Sequence, residues 1–178
     1  MRGISLSGRW GVVVGITTLG LVAGGATWVV AAGSDATHPR SQAAADPTST
    51  NIPPDDSTAD NVPANSVTIR KVCPGAVIAS WTGEVSTPGA SDFIHMDIRA
   101  TCTGTGGMAN PCTVGQQVFA SPGHTFVKNG ADTFSTHSVT MAFSGLQRGI
   151  WRIDALPGGN NSANVQFRTL VVEAFNGG

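Results

Sequence analysis

From residue 67 onward, apolar and polar side chains alternate in short runs that are separated by turn sequences. The clearest run is "DFIHMDIRATC", in which every second residue is apolar or small. A period of two over this length predicts a β-strand with one buried and one solvated face. The predicted inward positions are Ile94, Met96, Ile98, Ala100 and Cys102, and the predicted outward positions are Phe93, His95, Asp97, Arg99 and Thr101.

Further runs extend the pattern, including "AVIASWTGEV", "HSVTMAF" and "GIWRIDA". The last run, "ANVQFRTLVVEAF", begins with Val165 and Phe167 inward. Its alternation is lost at Leu170 to Val172, where consecutive residues are apolar. This indicates a bulge or a strand that changes sheets. No helical period occurs between the runs, so a parallel sheet with crossover helices is excluded. Seven or eight short strands predict an all-β fold, an antiparallel β-sandwich over residues 67–178.

The composition agrees with an all-β fold and argues against a nucleic acid as partner. Glycine (23) and proline (10) are frequent, as in strands joined by tight turns, and 178 residues suffice for one domain with appendages. The formal net charge is −1, so the chain has no electrostatic footprint for a nucleic acid.

The N-terminal region, 1–32, is predicted to be a signal peptide or a single-pass membrane anchor. Arg2 and Arg9 precede an uncharged run, which is typical of an export signal with its basic end inside. Small residues in "VVAA" are compatible with cleavage, but residues 11–32 as a helix span about 33 Å, enough to cross the bilayer if uncleaved. The prediction is an extracytoplasmic protein, membrane-anchored or secreted, with the retained anchor favoured.

Residues 33–66 are rich in Pro, Ala, Ser, Thr and Asp and contain almost no large apolar side chains. Such a segment buries too little surface to offset its ordering entropy. It is therefore predicted to be a disordered linker.

The stretch "SGLQRGIWRIDALPGG" places Leu146, Gly149, Trp151 and Ile153 in the order Leu-x-x-Gly-x-aromatic-x-aliphatic. This resembles a corner of immunoglobulin-like and fibronectin-like domains in bacterial surface proteins. The resemblance implies that the leucine fills the core, the glycine permits the turn, and the aromatic bonds its polar tip to backbone. Trp151 stands where that pattern has tyrosine.

A second segment, "VCPGAVIASWTGEVSTPGAS", is similar to one in small exported actinobacterial proteins that carry a single immunoglobulin-like sandwich. The resemblance covers residues 67–178 in broad pattern. It implies an immunoglobulin-like β-sandwich and an exported location, and it supplies no catalytic residues.

Three cysteines in an exported chain first suggest a disulfide. Cys102 with Cys112 is favoured, because Cys102 ends a strand and the glycine-rich loop between them is flexible enough to bring the sulfurs together. Cys73 would then be free. Pairing of Cys73 with Cys102 or with Cys112 is the alternative.

The sequence predicts no catalytic residue, no cofactor and no metal site. No zinc or calcium motif occurs, and "GTGGMA" is not followed by a helix that could hold a pyrophosphate. Arg148 and Arg152 are expected to be solvated. The rival hypothesis is a small secreted hydrolase or metal-dependent enzyme, which requires His95, His124 and His137 to converge with Asp97 or Asp132.

The expected function is therefore that of a non-enzymatic binding or structural module. Its expected partner is a protein or a cell-envelope component, contacted through a sheet edge or through loops, and a structural subunit that depends on its partner is a further alternative. The loops expected at the ends of the sandwich are 86–92, 103–111, 120–132 and 156–163.

Overall fold

The computed structural model of the chain describes residues 40–52, 63–123, 125–129 and 134–175. Ten strands occupy these residues: β1 (Arg40–Asp46), β2 (Thr50–Ile52), β3 (Asn65–Lys71), β4 (Gly75–Ser86), β5 (Phe93–Gly104), β6 (Gln117–Phe119), β7 (Thr125–Asn129), β8 (Ser135–Leu146), β9 (Gly149–Gly159) and β10 (Ala163–Ala174). The prediction of an all-β antiparallel sandwich is confirmed.

The strands form two five-stranded antiparallel sheets. Sheet A has the order β1-β10-β4-β8 with β2 also on β10, and sheet B has the order β3-β9-β5-β6 with β7 also on β5. When β1 with β2, and β6 with β7, are each counted as one interrupted strand, the order is 1-8-3-6 facing 2-7-4-5. This is the connectivity of an eight-stranded jelly roll.

The predicted immunoglobulin-like connectivity is therefore wrong. In an immunoglobulin sandwich the first two strands share one sheet and the last two share the other. Here β1 and β3 lie in different sheets, and so do β9 and β10. Most turns of the chain connect a strand of one sheet to a strand of the other. The alternation of side chains within a strand contains no information on these connections.

The core lies between the two sheets and contains the apolar residues that alternation placed inward, with the exception of Phe167. Trp81 and Trp151 are fully buried and are the largest side chains there. The predicted inward face of β5 is confirmed, since Ile94, Met96 and Ile98 are all at most 1% exposed. Other core side chains come from both sheets: Val77, Val85, Met141, Phe143, Leu146, Ile153, Val165, Leu170 and Val172.

The prediction that residues 33–66 form a disordered linker is wrong for residues 40–46 and 50–52. β1 pairs along its whole length with the C-terminal strand, from Arg40 opposite Ala174 to Asp46 opposite Arg168. Backbone hydrogen bonds form this edge, so it does not need the large apolar side chains whose absence suggested disorder. Sheet B also begins earlier than predicted, at Asn65.

The N-terminal segment 1–32 lies outside the described residues, as do linker residues 33–39 and 53–62. Within the described ranges, no helix has the length and apolar character needed to cross a membrane.

Candidate functional site

The corner between β8 and β9 is part of the scaffold. Leu146 is buried in the core, and the indole Nε1 of the buried Trp151 donates a hydrogen bond to the carbonyl of Gln147 at 2.9 Å. Gly149 has a φ of +148°, in the region that favours glycine. The tryptophan thus makes, through its N–H, the bond to backbone that the resemblance assigned to the aromatic.

The predicted disulfide between Cys102 and Cys112 is present. It fastens loop 105–111 beneath the corner, where the amide of Cys112 donates to the carbonyl of Arg148 at 2.7 Å. Arg148 in turn donates from Nη1 to the carbonyl of Ala109 at 3.3 Å. Cys73 is a free, half-buried thiol. The loop 103–111 is therefore held to the scaffold at several points.

The outer face of β5, predicted to be solvated, is largely buried. His95, Asp97 and Arg99 are 0%, 2% and 7% exposed. His95 Nε2 lies 3.8 Å from Asp97 Oδ2, and Gly123 approaches the Asp97 carboxylate from the loop after β6. The prediction of a solvated face is wrong here because the pattern of one strand does not show which segment will cover it.

Asp154 is the centre of an ionic cluster on this face, which also contains Arg99, Arg152 and Ser66. The carboxylate is fully buried and accepts a hydrogen bond from Ser66 Oγ at 2.7 Å. Arg152 Nε lies 3.0 Å from Oδ1, and Arg99 Nη2 lies 3.6 Å from Oδ2. Arg152, predicted to be solvated, is half exposed but fixed in this cluster, which serves to balance a buried charge.

Two of the histidines that the metal-dependent alternative requires lie in different sheets. His95 lies on β5 of sheet B and points away from the inter-sheet core, whereas His137 lies on β8 of sheet A and bonds Ser135 Oγ at 2.8 Å. His124 and Asp132 lie outside the described residues. The part of the chain that the structure describes contains no group of three His, Cys, Asp or Glu side chains placed to hold a metal ion.

Phe167 is the most unusual residue on the surface. Predicted to point inward, it is 59% exposed, and its φ of +45° is in the left-handed region that a bulky side chain rarely adopts. The cause is a bulge in β10, where the register with β4 shifts between Gln166 and Thr169. The extra residue reverses the alternation, so Arg168 is buried while Phe167 projects into solvent.

Arg168 holds the bulge in place through Asp46, Thr48 and Val165. Its Nη2 lies 2.6 Å from Asp46 Oδ2, and its Nη1 donates to the carbonyls of Thr48 at 3.3 Å and Val165 at 3.1 Å. Burial raises the pKa of Asp46, but hydrogen bonds from Thr48 and the charge of Arg168 outweigh it and leave the pKa below 3.8. The strained backbone of Phe167 is thus fixed by a charged clamp.

Beside this bulge lies a surface on the outer face of sheet A, which we term the platform. It consists of two cross-strand rows of small or medium side chains, none of them charged. Hydroxyl groups bond one another across β4 and β8, with Ser80 to Thr140 at 3.0 Å and Thr82 to Ser138 at 2.9 Å. The rows are Ala45, Thr169, Thr82 and Ser138, and Ala43, Val171, Ser80 and Thr140.

A neutral platform beside an exposed aromatic ring can hold a ligand by stacking and by hydrogen bonds to hydroxyl groups. Sequence alternation did not identify this site, because it placed Phe167 in the core. The only sign of the bulge in the sequence was the irregular apolar pattern at Leu170 to Val172, which lies a few residues after the bulge itself.

Of the loops predicted at the ends of the sandwich, 156–163 is mostly strand, since β9 continues to Gly159.

Comparison with known proteins gives no family. The sequence matches no family model and no curated protein. Among solved structures, the chain is similar to a structure of the Gx strain of infectious bursal disease virus, with 12% identity, a TM-score of 0.46 and coverage of 92% of this chain and 38% of that one. It is also similar to the VP2 subviral particle of infectious bursal disease virus, with 9% identity, a TM-score of 0.36 and coverage of 78% and 38%. The chain spans well under half the length of either.

Proposed function

We propose that this chain is an extracytoplasmic, non-enzymatic binding module, anchored in the membrane or secreted, that uses the platform and Phe167 to hold an uncharged envelope polymer. The exposed, strained Phe167 is the observation that carries the proposal. Strain of this kind costs about 1 to 3 kcal/mol and persists where the surrounding structure enforces it, often at binding sites. A large aromatic side chain presented to solvent at that cost is best explained by contact with a ligand.

The chemistry of the platform favours a hydroxyl-rich, neutral ligand such as an envelope polysaccharide. None of its eight residues is charged or titratable, and five of them are Ser or Thr. Protein interfaces depend on buried aromatic and arginine anchors, which the platform lacks apart from the neighbouring Phe167. A protein partner is therefore the less favoured occupant.

Two features support the extracytoplasmic location. The uncharged segment 10–34 follows two arginines, as in an export signal, and a disulfide joins Cys102 to Cys112. Disulfides persist mainly in oxidising compartments.

The experiment is co-sedimentation of the full-length chain with purified, protein-free envelope polysaccharide of the source cells. Phe167→Gly should reduce binding about 5- to 150-fold, since one stacked aromatic contributes about 1 to 3 kcal/mol. Its thermal stability should be unchanged or higher, because glycine adopts a positive φ without strain. Binding should also change little with salt, since the proposed ligand is uncharged.

Val114→Ala is the matched control, because Val114 is an exposed apolar residue (60%) that lies in a turn away from the platform. It should leave binding unchanged. Absence of binding by the folded wild-type chain, or equal binding by Phe167→Gly, would refute the proposal. Binding restricted to the protein-containing fraction would point to a protein partner instead.

A further inference from the structure

The carboxylate of Glu84 lies at one border of the platform. Gly83 and Val85, its two neighbours in β4, are buried, so the half-buried Glu84 points to the outer face of sheet A. It follows Thr82 of the platform by two residues, which is about 7 Å along a strand. The cross-strand row that contains Glu84 is therefore the next row beyond the platform.

Glu84 is held by a neighbouring amide. In the register of β4 with β10 it lies opposite Gln166, and Gln166 Nε2 donates a hydrogen bond to Glu84 Oε2 at 2.9 Å. On the other side the row continues to the exposed Thr136 of β8. One hydrogen bond uses only part of the capacity of a carboxylate, since each of its two oxygens can accept two. The pair of Glu84 and Gln166 can thus accept further hydrogen bonds in a fixed orientation.

Phe167 follows Gln166 in the chain and lies on the same face. β10 is an interior strand with β4 on one side and β1 and β2 on the other, so its side chains reach solvent only from the outer face of the sheet. Phe167 is 59% exposed and therefore projects from that face. The aromatic ring, the amide and the carboxylate are grouped at one border of the platform.

We infer that Glu84 and Gln166 form the polar part of the polysaccharide site, and that Glu84 selects neutral polymers over acidic ones. This inference rests on the proposed function. A sugar ring that stacks on Phe167 would donate hydrogen bonds from hydroxyl groups on neighbouring carbons to the carboxylate of Glu84. Hydrogen bonds to a charged acceptor are about twice as strong as those to a neutral one. The ligand class is therefore a neutral sugar with adjacent free hydroxyl groups.

The same charge disfavours an acidic sugar. An acidic sugar stacked on Phe167 would bring its own carboxylate close to that of Glu84, and like charges brought together at an interface are unfavourable. Neither row that borders the platform contains a basic side chain to offset this repulsion. The two rows are Gln166, Glu84 and Thr136 at one border, and Ser41, Glu173, Ile78 and Ala142 at the other.

Co-sedimentation of the full-length chain with matched derivatives of one polymer tests the inference. The probes are the purified envelope polysaccharide, its carboxymethyl derivative and its hydroxyethyl derivative, the last two at the same degree of substitution. The wild-type chain should bind the carboxymethyl polymer at least about fivefold more weakly than the neutral hydroxyethyl polymer. Glu84→Gln should weaken binding of the unmodified polymer about tenfold, because its side chain is a neutral acceptor, and should bring the ratio between the two derivatives close to one.

Glu173→Gln is the matched control, since it removes the same charge from the same face. Glu173 lies in the row of Ile78, six residues before Glu84 in β4 and about 20 Å away along the strand. This distance exceeds the range of unscreened interaction at physiological salt. The control should change neither the affinity for the unmodified polymer nor the ratio between the derivatives. Thermal melts of both variants should match those of the wild-type chain.

Failure of this inference is distinct from failure of the proposed function. If the wild-type chain binds the polysaccharide and Phe167→Gly does not, but Glu84→Gln behaves as wild type, the ring holds the polymer without Glu84 and the inference is overturned. Equal effects of Glu84→Gln and Glu173→Gln would also overturn it, because they would assign the selectivity to the total charge of the face. Absence of binding by the wild-type chain would refute the proposed function and the inference together.

Discussion

Gly149 packs directly against the disulfide: a Cβ built on Gly149 would overlap Sγ of Cys112 and lie 3.1 Å from the carbonyl oxygen of Gly104. Its φ of +148° is also unfavourable for any other residue. Gly149→Ala should therefore lower the free energy of unfolding by at least about 2 kcal/mol, through strain and overpacking together. Urea denaturation measures this, with Gly145→Ala as the control, since a Cβ on Gly145 would meet no atom within 4 Å. Equal stability of the two variants would contradict the contact.

Leu146 fills the core at the same corner and is 2% exposed. Leu146→Ala should cost about 2 to 4 kcal/mol, because it removes buried methyl groups and leaves a cavity. Thr140→Ala, on the exposed side of β8, should change the free energy of unfolding far less. An effect of Leu146→Ala below about 0.5 kcal/mol in denaturant melts would mean that the leucine does not plug the core.

The disulfide closes a loop with a sequence separation of 10. On the chain-entropy description this contributes about 2.5 to 3 kcal/mol. The double variant Cys102→Ser with Cys112→Ser should lose about this amount of stability. Dithiothreitol should destabilise the wild-type chain by a similar amount and leave the double variant unaffected. If dithiothreitol destabilised both chains equally, the disulfide could not be the cause of the effect.

The ion pair between Asp46 and Arg168, the clamp described above, makes the free energy of unfolding depend on pH in the acidic range. Because the pKa of Asp46 lies below 3.8 in the folded chain, the unfolded chain binds more protons as the pH falls below that value. The stabilisation is therefore present above about pH 4 and is lost as the pH falls through the folded-state pKa. Asp46→Asn should cost about 1 to 3 kcal/mol at neutral pH and show a shallower loss of stability in acid. Thermal melts from pH 7 downward test this, and parallel curves for variant and wild type would refute it.

Alternation predicted the core of this fold well, because β4, β5, β8 and β9 each have one apolar face. It could not predict their connectivity. A two-residue period shows which face of a strand is buried, but it does not show which strand lies beside it. The corner at Leu146 and Gly149 also resembles the corner of a different sandwich, the immunoglobulin-like one. β1, with the sequence "RSQAAAD", has no apolar period at all and is held by backbone pairing with β10.

The candidate site was missed for a related reason. One extra residue in β10 moves Phe167 from the predicted core to the surface and buries Arg168 instead. A bulge is a mismatch between two strands, here between β10 and the part of β4 around Gly83, so the sequence of β10 alone does not locate it. His95, Asp97 and Arg99 were likewise assigned to a solvated face, since the alternation of one strand does not record contacts with residues distant in sequence, such as Gly123 at Asp97 and Asp154 at Arg99.

The pairing of Arg40 with Ala174 and of Asp46 with Arg168 has a mechanical consequence. The chain enters the sandwich at Arg40, while Phe167 stands at the other end of β1, about 20 Å away at about 3.4 Å per residue. Under the proposed function, tension between a membrane anchor and a ligand at Phe167 would run parallel to β1 and load its hydrogen bonds with β10 simultaneously, in shear. Force applied between Arg40 and Ala174 would instead peel the same two strands apart one bond at a time.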